Sequence, residues 1–210
     1  MEYEVRYYYN TNKKDEIINK LNGIEGIIRK NRCYEKTMQF DHPNSNNSFY
    51  NKDIDGRFRI RVTKNDMISK CKISWKRRIK STTDTVVNKE EEVELKINYE
   101  EYDNLMFIVN NVLKMKNVES YERYRTIYTN DEIEVAVDEY PFGIALEIEN
   151  KSNSDKPEEI VKKWVEIIGL DISKSYRLSW DDKYRELCYS QGVEQYNHVT
   201  FDLPMPEVID

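Results

Sequence analysis

Charged side chains recur at every second position in seven short stretches of the 210-residue chain, and their signs are sorted by stretch. Glu2 and Glu4, Glu90 to Glu94, Glu134 with Asp138, and Glu147 with Glu149 form the acidic rows. Arg57, Arg59 and Arg61, then Lys72, Lys76 and Arg78, then Arg123 and Arg125 form the basic rows. Carboxylate oxygens are ligands for hard divalent cations such as Mg²⁺ and Mn²⁺. Arginine and lysine donate charge-assisted hydrogen bonds to phosphate oxygens, and arginine does so bidentately. A polyphosphate bridged by one or two Mg²⁺ or Mn²⁺ ions uses both halves of this inventory at once.

The elements that carry these rows follow from what lies between the charges. Tyr3, Val5 and Tyr7 alternate with the first row, Phe58, Ile60 and Val62 with the second, and Leu146 and Ile148 with the last. A period of two with one apolar face is the pattern of a β-strand. A solvated sheet face usually mixes its polar types, whereas strand-by-strand sorting predicts a closed barrel with a charged interior and apolar faces packed outward under helices. Helical spacing predicts helices over 13–30, 99–116 and 154–169, the last opening at Ser154-Asp155 with Pro157 in its first turn and ending at Gly169, and a shorter one over 181–188. Helices that punctuate the strands rather than alternating with them favour an α+β, mostly antiparallel fold. The polar stretch 41–56 reads as a long loop. Residues 1–189 are expected to form one domain and 190–210 a C-terminal tail, extended from 196 and carrying Pro204 and Pro206.

Composition narrows the chemistry. Charged residues make up 34% of the chain, yet 33 Lys and Arg against 39 Asp and Glu leave a net charge of only −6. There is no global basic field to hold duplex nucleic acid, and a mean hydropathy of −0.85 argues against a membrane partner. Three cysteines without metal spacing and two histidines leave no zinc site or Cys-His pair. A charged start without an apolar core carries no export signal, so a cytoplasmic location is expected.

Glu2-x-Glu4-x-Arg6 resembles the ExExK signature of the CYTH domains, the triphosphate tunnel metalloenzymes that include class IV adenylate cyclases and thiamine triphosphatases. Phe58-Arg59-Ile60-Arg61, Ile73-Ser74-Trp75-Lys76 and Glu90 to Glu94 are similar, in order, to the family's next three strands. Arg123-Tyr124-Arg125-Thr126-Ile127-Tyr128 is similar to its K-x-R-x-x-Y segment. Val135-Ala136-Val137-Asp138, Gly143 and Leu146-Glu147-Ile148-Glu149 resemble its closing hairpin, and Lys174-Ser175-Tyr176 its C-terminal KSY. Arg6 replaces the first motif's lysine, the arginine expected before the ExE strand is Lys89 or missing, and residues 190–210 have no counterpart.

The resemblance implies an eight-stranded antiparallel tunnel. It makes Glu2, Glu4, Glu92, Glu94, Asp138, Glu147 and Glu149 the metal ligands, with Glu2, Glu4 or Asp138 also orienting the attacking water. Arg6, Arg59, Arg61, Lys76, Arg123 and Arg125 become the phosphate clamps, and Arg57, Lys72, Arg78 and Lys174 weaker ones. The partner is a triphosphate-containing small molecule: inorganic tripolyphosphate, thiamine triphosphate or a nucleoside triphosphate. Metal-dependent hydrolysis is the leading expectation. A class IV-type adenylate cyclase, an RNA 5′-triphosphatase acting on a triphosphorylated RNA end, and a binding module without turnover stay open, as does a homodimer. Ala145, where the capping enzymes carry a third alternating glutamate, counts against the RNA reading.

Overall fold

The computed structural model describes residues 2–50, 54–78 and 87–209; the side chains of Arg78 and Lys89 lie outside that description. In chain order the elements are β1 (Glu2–Tyr9), α1 (Lys14–Asn22), β2 (Ile28–Arg29), β3 (Cys33–Asp41), β4 (Gly56–Lys64), β5 (Ser69–Arg78), β6 (Asn88–Ile97), α2 (Tyr102–Phe107), β7 (Lys116–Thr129), β8 (Ile133–Tyr140), β9 (Gly143–Asn150), α3 (Pro157–Ile168), α4 (Trp180–Gln191) and β10 (His198–Val199). Eight of the strands close into an antiparallel barrel in the order β7-β3-β4-β5-β6-β1-β9-β8, with β8 returning to β7. The two short strands β2 and β10 attach to β7.

The expected α+β barrel with its helices outside is therefore the observed fold, and its strand registers carry the alternation through the ring. Glu4 stands opposite Glu149 and Arg6 opposite Glu147, Arg125 opposite Asp138, and Lys76 opposite Glu92. All of these share the inward parity. On the outward parity, Val5, Tyr7, Val135, Val137, Leu146 and Ile148 are buried beneath Leu21 of α1 and Val161, Trp164 and Val165 of α3. A second outer core joins Phe40, Ile60 and Cys71 to Val109, just beyond α2. Burial of aliphatic side chains on this scale, at about 25 cal/mol per Å² of apolar surface, holds the wall shut around a polar lumen.

Sequence and structure differ at three places. The expected helix over 13–30 ends at Asn22, where Gly23 caps it, and the chain then forms β2 and β3. The strand β3 is absent from the seven charged rows because its inward positions are the mixed set Glu35, Thr37 and Gln39. The expected helix over 99–116 is split into a 3₁₀ turn, α2 and a π segment at Ile108–Val112, where Leu113 N–H reaches the Ile108 carbonyl. Phe107, Ile108 and Val112 of that run are exposed, so only part of the apolar stripe faces the barrel.

The third helix matches its signals. Pro157 opens α3, and Gly169, at φ +71°, ends it in the left-handed conformation that favours glycine. Gly143 follows the β8–β9 turn, and a Cβ there would lie 2.6 Å from Val208 and 2.9 Å from the Tyr9 carbonyl. Val208 belongs to the stretch expected as a tail: its N–H bonds the Phe142 carbonyl, and its side chain is buried against the barrel end. No helix among the described residues is long and apolar enough to cross a membrane.

Candidate functional site

Inward parity concentrates the charges on two facing walls around a cavity of about 270 Å³. The acidic wall is β6, β1 and β9; the basic wall is β7, β4 and β5. One end is closed by α4, whose first turn is fixed by a capping box between Ser179 and Asp182. Trp180 reaches into that end and packs on the inward rings of Tyr121, at 4.4 Å, and Tyr140. The other end opens among Glu2, Glu92, Glu94, Glu149, Asn150, Lys151 and Ser152.

On the acidic wall, carboxylate oxygens of Glu2, Glu4 and Glu90 lie within 4.8 Å of one another. The Lys76 ammonium bridges them from the facing strand, 2.8 Å from Glu2, in contact with Glu90 and 3.9 Å from Glu92. Burial disfavours the Lys76 charge, yet Glu4, Glu2 and Glu92 outweigh it and raise its pKa. Glu149 is pushed up to about 8, by burial first and by Glu2 and Glu4 behind it, although Lys151 stands 2.7 Å away. Clustered carboxylates that recruit a lysine, with Glu149 beside them pushed toward its protonated form, are an all-oxygen donor set short of positive charge. A hard divalent cation fits that set.

On the basic wall, Arg123 and Arg125 both grip Asp138, at 2.7 and 2.5 Å, and Asp138 is fully buried. Arg125 also reaches Glu147 at 2.6 Å, and Glu147 accepts from Arg6 at 2.7 Å. Glu147 is held well below the ordinary carboxylate range: burial opposes this, and Arg6, Arg125 and Arg123 overcome it. Arg57 lies 3.3 Å from Asp55 and 4.0 Å from Asp181. Arg59 differs from its neighbours. It is 9% exposed, and its Nε meets no hydrogen-bond partner among the described residues. Burial, reinforced by Arg57 and Arg61, lowers its pKa. A desolvated guanidinium that Tyr121 and Asp181 compensate only in part is a charge that an anion would neutralise.

The structure brings Glu2, Glu4, Arg6, Arg59, Arg61, Lys76, Glu92, Glu94, Arg123, Arg125, Glu147 and Glu149 to the cavity surface, together with Arg57 and Lys72. Glu94 pairs with Lys72 toward the open end. Asp138 sits behind the surface with both oxygens engaged by arginines. Lys174 lines a separate outer depression beside Tyr7, Tyr8 and Tyr9, not the lumen. The Arg78 side chain lies outside the described residues. Glu90 joins the acidic cluster. Glu35, Tyr121, Tyr140 and Lys151 have no counterpart among the sequence-derived site residues. Glu35 accepts from Arg123 at 2.7 and 2.9 Å and lies within 4.0 Å of Arg61 and Arg125. The period of two through Glu35, Thr37 and Gln39, alternating with Met38 and Phe40, was the signal that could have found it.

An antiparallel barrel with acid and base on opposite inner walls defines a charged-tunnel protein. No family model matches the chain, and no curated protein matches it in sequence. Solved structures share the fold. One is the PH1819 protein of Pyrococcus horikoshii, with 23% identity and a TM-score of 0.63 over 89% of this chain and 99% of that one. Another, from Hippeastrum, is a candidate adenylyl cyclase described as having a dominant triphosphatase activity (15% identity, TM-score 0.56, 93% and 98% covered). A third is a candidate adenylate cyclase from Vibrio parahaemolyticus (14% identity, TM-score 0.59, 86% and 96% covered). The tunnel barrel implied by the CYTH-like motifs is thus the fold that this chain has.

Proposed function

We propose that the chain is a CYTH-type, metal-dependent triphosphatase that binds a linear triphosphate along the basic wall and hydrolyses its terminal phosphoanhydride. The observation that carries this reading is Arg59, a buried guanidinium without a partner at its Nε, set in the same cavity as a lysine-bridged carboxylate cluster. Glu2, Glu4 and Glu90, with Glu149 beside them, would hold Mg²⁺ or Mn²⁺, which when bound neutralises phosphate charge and acidifies water. Arg59 and Arg61 bind the phosphate oxygens, and Arg123 and Arg125 are pre-aimed by Glu35 and Asp138, so that no side chain must be ordered during reaction. Glu4 and Glu2 accept hydrogen bonds from the attacking water and align it with the terminal phosphorus. The closed end by Trp180 keeps bulk water out on one side.

The triphosphatase reading is favoured over the cyclase because, among the described residues, the seven that line the open end include no aromatic face on which a nucleobase could stack. Fold likeness alone does not decide between the two. The test is incubation with Mg²⁺ or Mn²⁺ and, separately, tripolyphosphate, thiamine triphosphate, ATP and triphosphorylated RNA, with the products resolved. Orthophosphate from tripolyphosphate is the expected result. Cyclic AMP with pyrophosphate as the main product, or tight binding without turnover of any substrate, would refute it.

A further inference from the structure

The basic wall contains a proton donor as well as cations. Tyr121 lies on β7 at the inward parity, two residues before Arg123, and is 4% exposed. Its ring rests on Trp180, and its hydroxyl lies 3.3 Å from an Arg61 Nη. From β4, Arg59 and Arg61 face it; from β7, Arg123, with its guanidinium 5.7 Å from the ring centre; from β3, Thr37, itself bonded to Arg61 at 3.0 Å. Tyr140 of β8 is the other ring of the group, and the acids facing this set are Glu35 and Asp138, both bonded to Arg123, Asp181 on α4, and Glu119 of β7, which burial and then Asp181 push up to about 7 against Arg185, Arg59 and Arg57.

We propose that Tyr121 is the general acid of the tunnel, donating its phenolic proton to the bridging oxygen of the phosphate that leaves. The role rests on the triphosphatase reading. Water oxygen bonds to the terminal phosphorus, the bond from that phosphorus to the bridging oxygen breaks, and the electron pair goes to that oxygen, which takes the Tyr121 proton. The attacking water loses a proton to solvent, and the phenolate recovers one, so the sum is triphosphate plus water giving diphosphate plus orthophosphate. A leaving oxygen lodged among Arg59, Arg61 and Arg123 lies beside the Tyr121 hydroxyl that these arginines surround.

Electrostatics fit the assignment. Burial alone would push the phenol up, but Arg61, Arg123 and Arg59 bring it down to about 7. A bound polyphosphate cancels those charges, so the phenol is tightened onto its proton when the substrate needs it. An acid whose pKa lies near the working pH is the most effective donor.

The test compares wild type with Tyr121→Phe, which keeps the ring on Trp180. Tripolyphosphate hydrolysis with Mg²⁺ is followed from mildly acid to alkaline pH, and tyrosinate absorbance is titrated in parallel without metal. Wild-type kcat/KM should fall above neutrality, with the limb in kcat displaced to higher pH. The variant should lose about 100-fold in kcat, lose the alkaline limb, and keep KM within a few-fold. Wild type should show a tyrosine that ionises near neutrality, absent in the variant and shifted upward by tripolyphosphate. If wild type turns over and the variant keeps its rate and alkaline limb, the acid role alone is overturned. If wild type binds tripolyphosphate but never releases phosphate, the triphosphatase reading is overturned and the acid role falls with it. Absence of the early tyrosine ionisation in wild type removes the acid role regardless of turnover.

Discussion

Glu35→Gln isolates the contribution of one buried carboxylate to the basic wall. In the native barrel this carboxylate accepts two hydrogen bonds from Arg123, one from the Thr63 hydroxyl at 2.9 Å, and stands near Arg61 and Arg125. Glutamine keeps the volume and one acceptor oxygen but removes the charge that neutralises three guanidinium groups. Breaking a buried ion pair by neutralising one partner costs about 3–5 kcal/mol. Arg123 keeps Asp138 at 2.7 Å and Tyr140 at 3.1 Å, which places the change at the lower end, about 3 kcal/mol. At roughly 2–4 °C per kcal/mol for a chain of this size, the melting temperature should drop by about 6–12 °C at neutral pH.

The pH dependence gives a sharper check on the same residue. Burial pushes the Glu35 pKa up, but Arg123, Arg61 and Arg125 reverse this and hold it far below the ordinary carboxylate range. A depressed folded-state pKa contributes stability that is complete above the unfolded value, about 4.3, and is lost as pH falls through the folded value. Denaturant unfolding of both proteins should therefore give a gap that is constant between about pH 7 and 5 and narrows steadily below about pH 4. A gap under about 1 kcal/mol at neutral pH, or one that does not narrow in acid, would refute the assignment of Glu35 as the counter-charge of the arginines.

Glu149→Gln should abolish metal-dependent phosphate release while leaving the unfolding midpoint and metal-free tripolyphosphate binding close to wild type, as measured by phosphate release and calorimetry. Because wild-type Glu149 holds its proton up to about 8, a cation must displace that proton. The Mg²⁺ concentration for half-maximal rate should accordingly fall as pH rises toward 8. Arg59→Met removes a buried cation that its surroundings compensate only in part and should raise stability by about 1–2 kcal/mol in the absence of phosphate, while weakening tripolyphosphate binding at least tenfold by calorimetry. Tripolyphosphate at about a hundredfold excess over its Kd should stabilise wild type by about 2.7 kcal/mol, and Arg59→Met much less at the same concentration.

The barrel was legible in the sequence because its two wall faces differ so strongly in chemistry. Val135-Ala136-Val137-Asp138 and Leu146-Glu147-Ile148-Glu149 each write a strand and its inner face in four residues. What stayed hidden depended on contacts between distant segments. Asp138 shares the alternation of Glu147, and only the packing places it beneath the surface between Arg123 and Arg125. Tyr121 has an aromatic side chain on a charged parity, so a pattern of charges passes over it. The charged face of β3 is diluted by Thr37 and Gln39, which hid both the eighth strand and Glu35. Lys174 carries a motif likeness that says nothing about which side of the wall its loop occupies.

Under the triphosphatase reading, the pairings that hold the tunnel are ones that a substrate would in part undo, and this bears on how metal and phosphate would cooperate. Lys76 sits among Glu2, Glu90 and Glu92, the carboxylates a cation would claim. A metal held by these carboxylates would take the place of the ammonium and leave Lys76 available to the phosphate wall; a phosphate that attracted Lys76 would strip the carboxylates of their counter-charge and strengthen their demand for metal. Each ligand therefore removes a cost that the other meets when it binds alone. By linkage the two effects are equal in free energy, so the factor by which Mg²⁺ tightens tripolyphosphate equals the factor by which tripolyphosphate tightens Mg²⁺. Sorting the charges onto facing walls is what makes this possible. Were acid and base interleaved on each strand, neighbouring side chains would neutralise one another locally, and neither ligand would gain from the presence of the other.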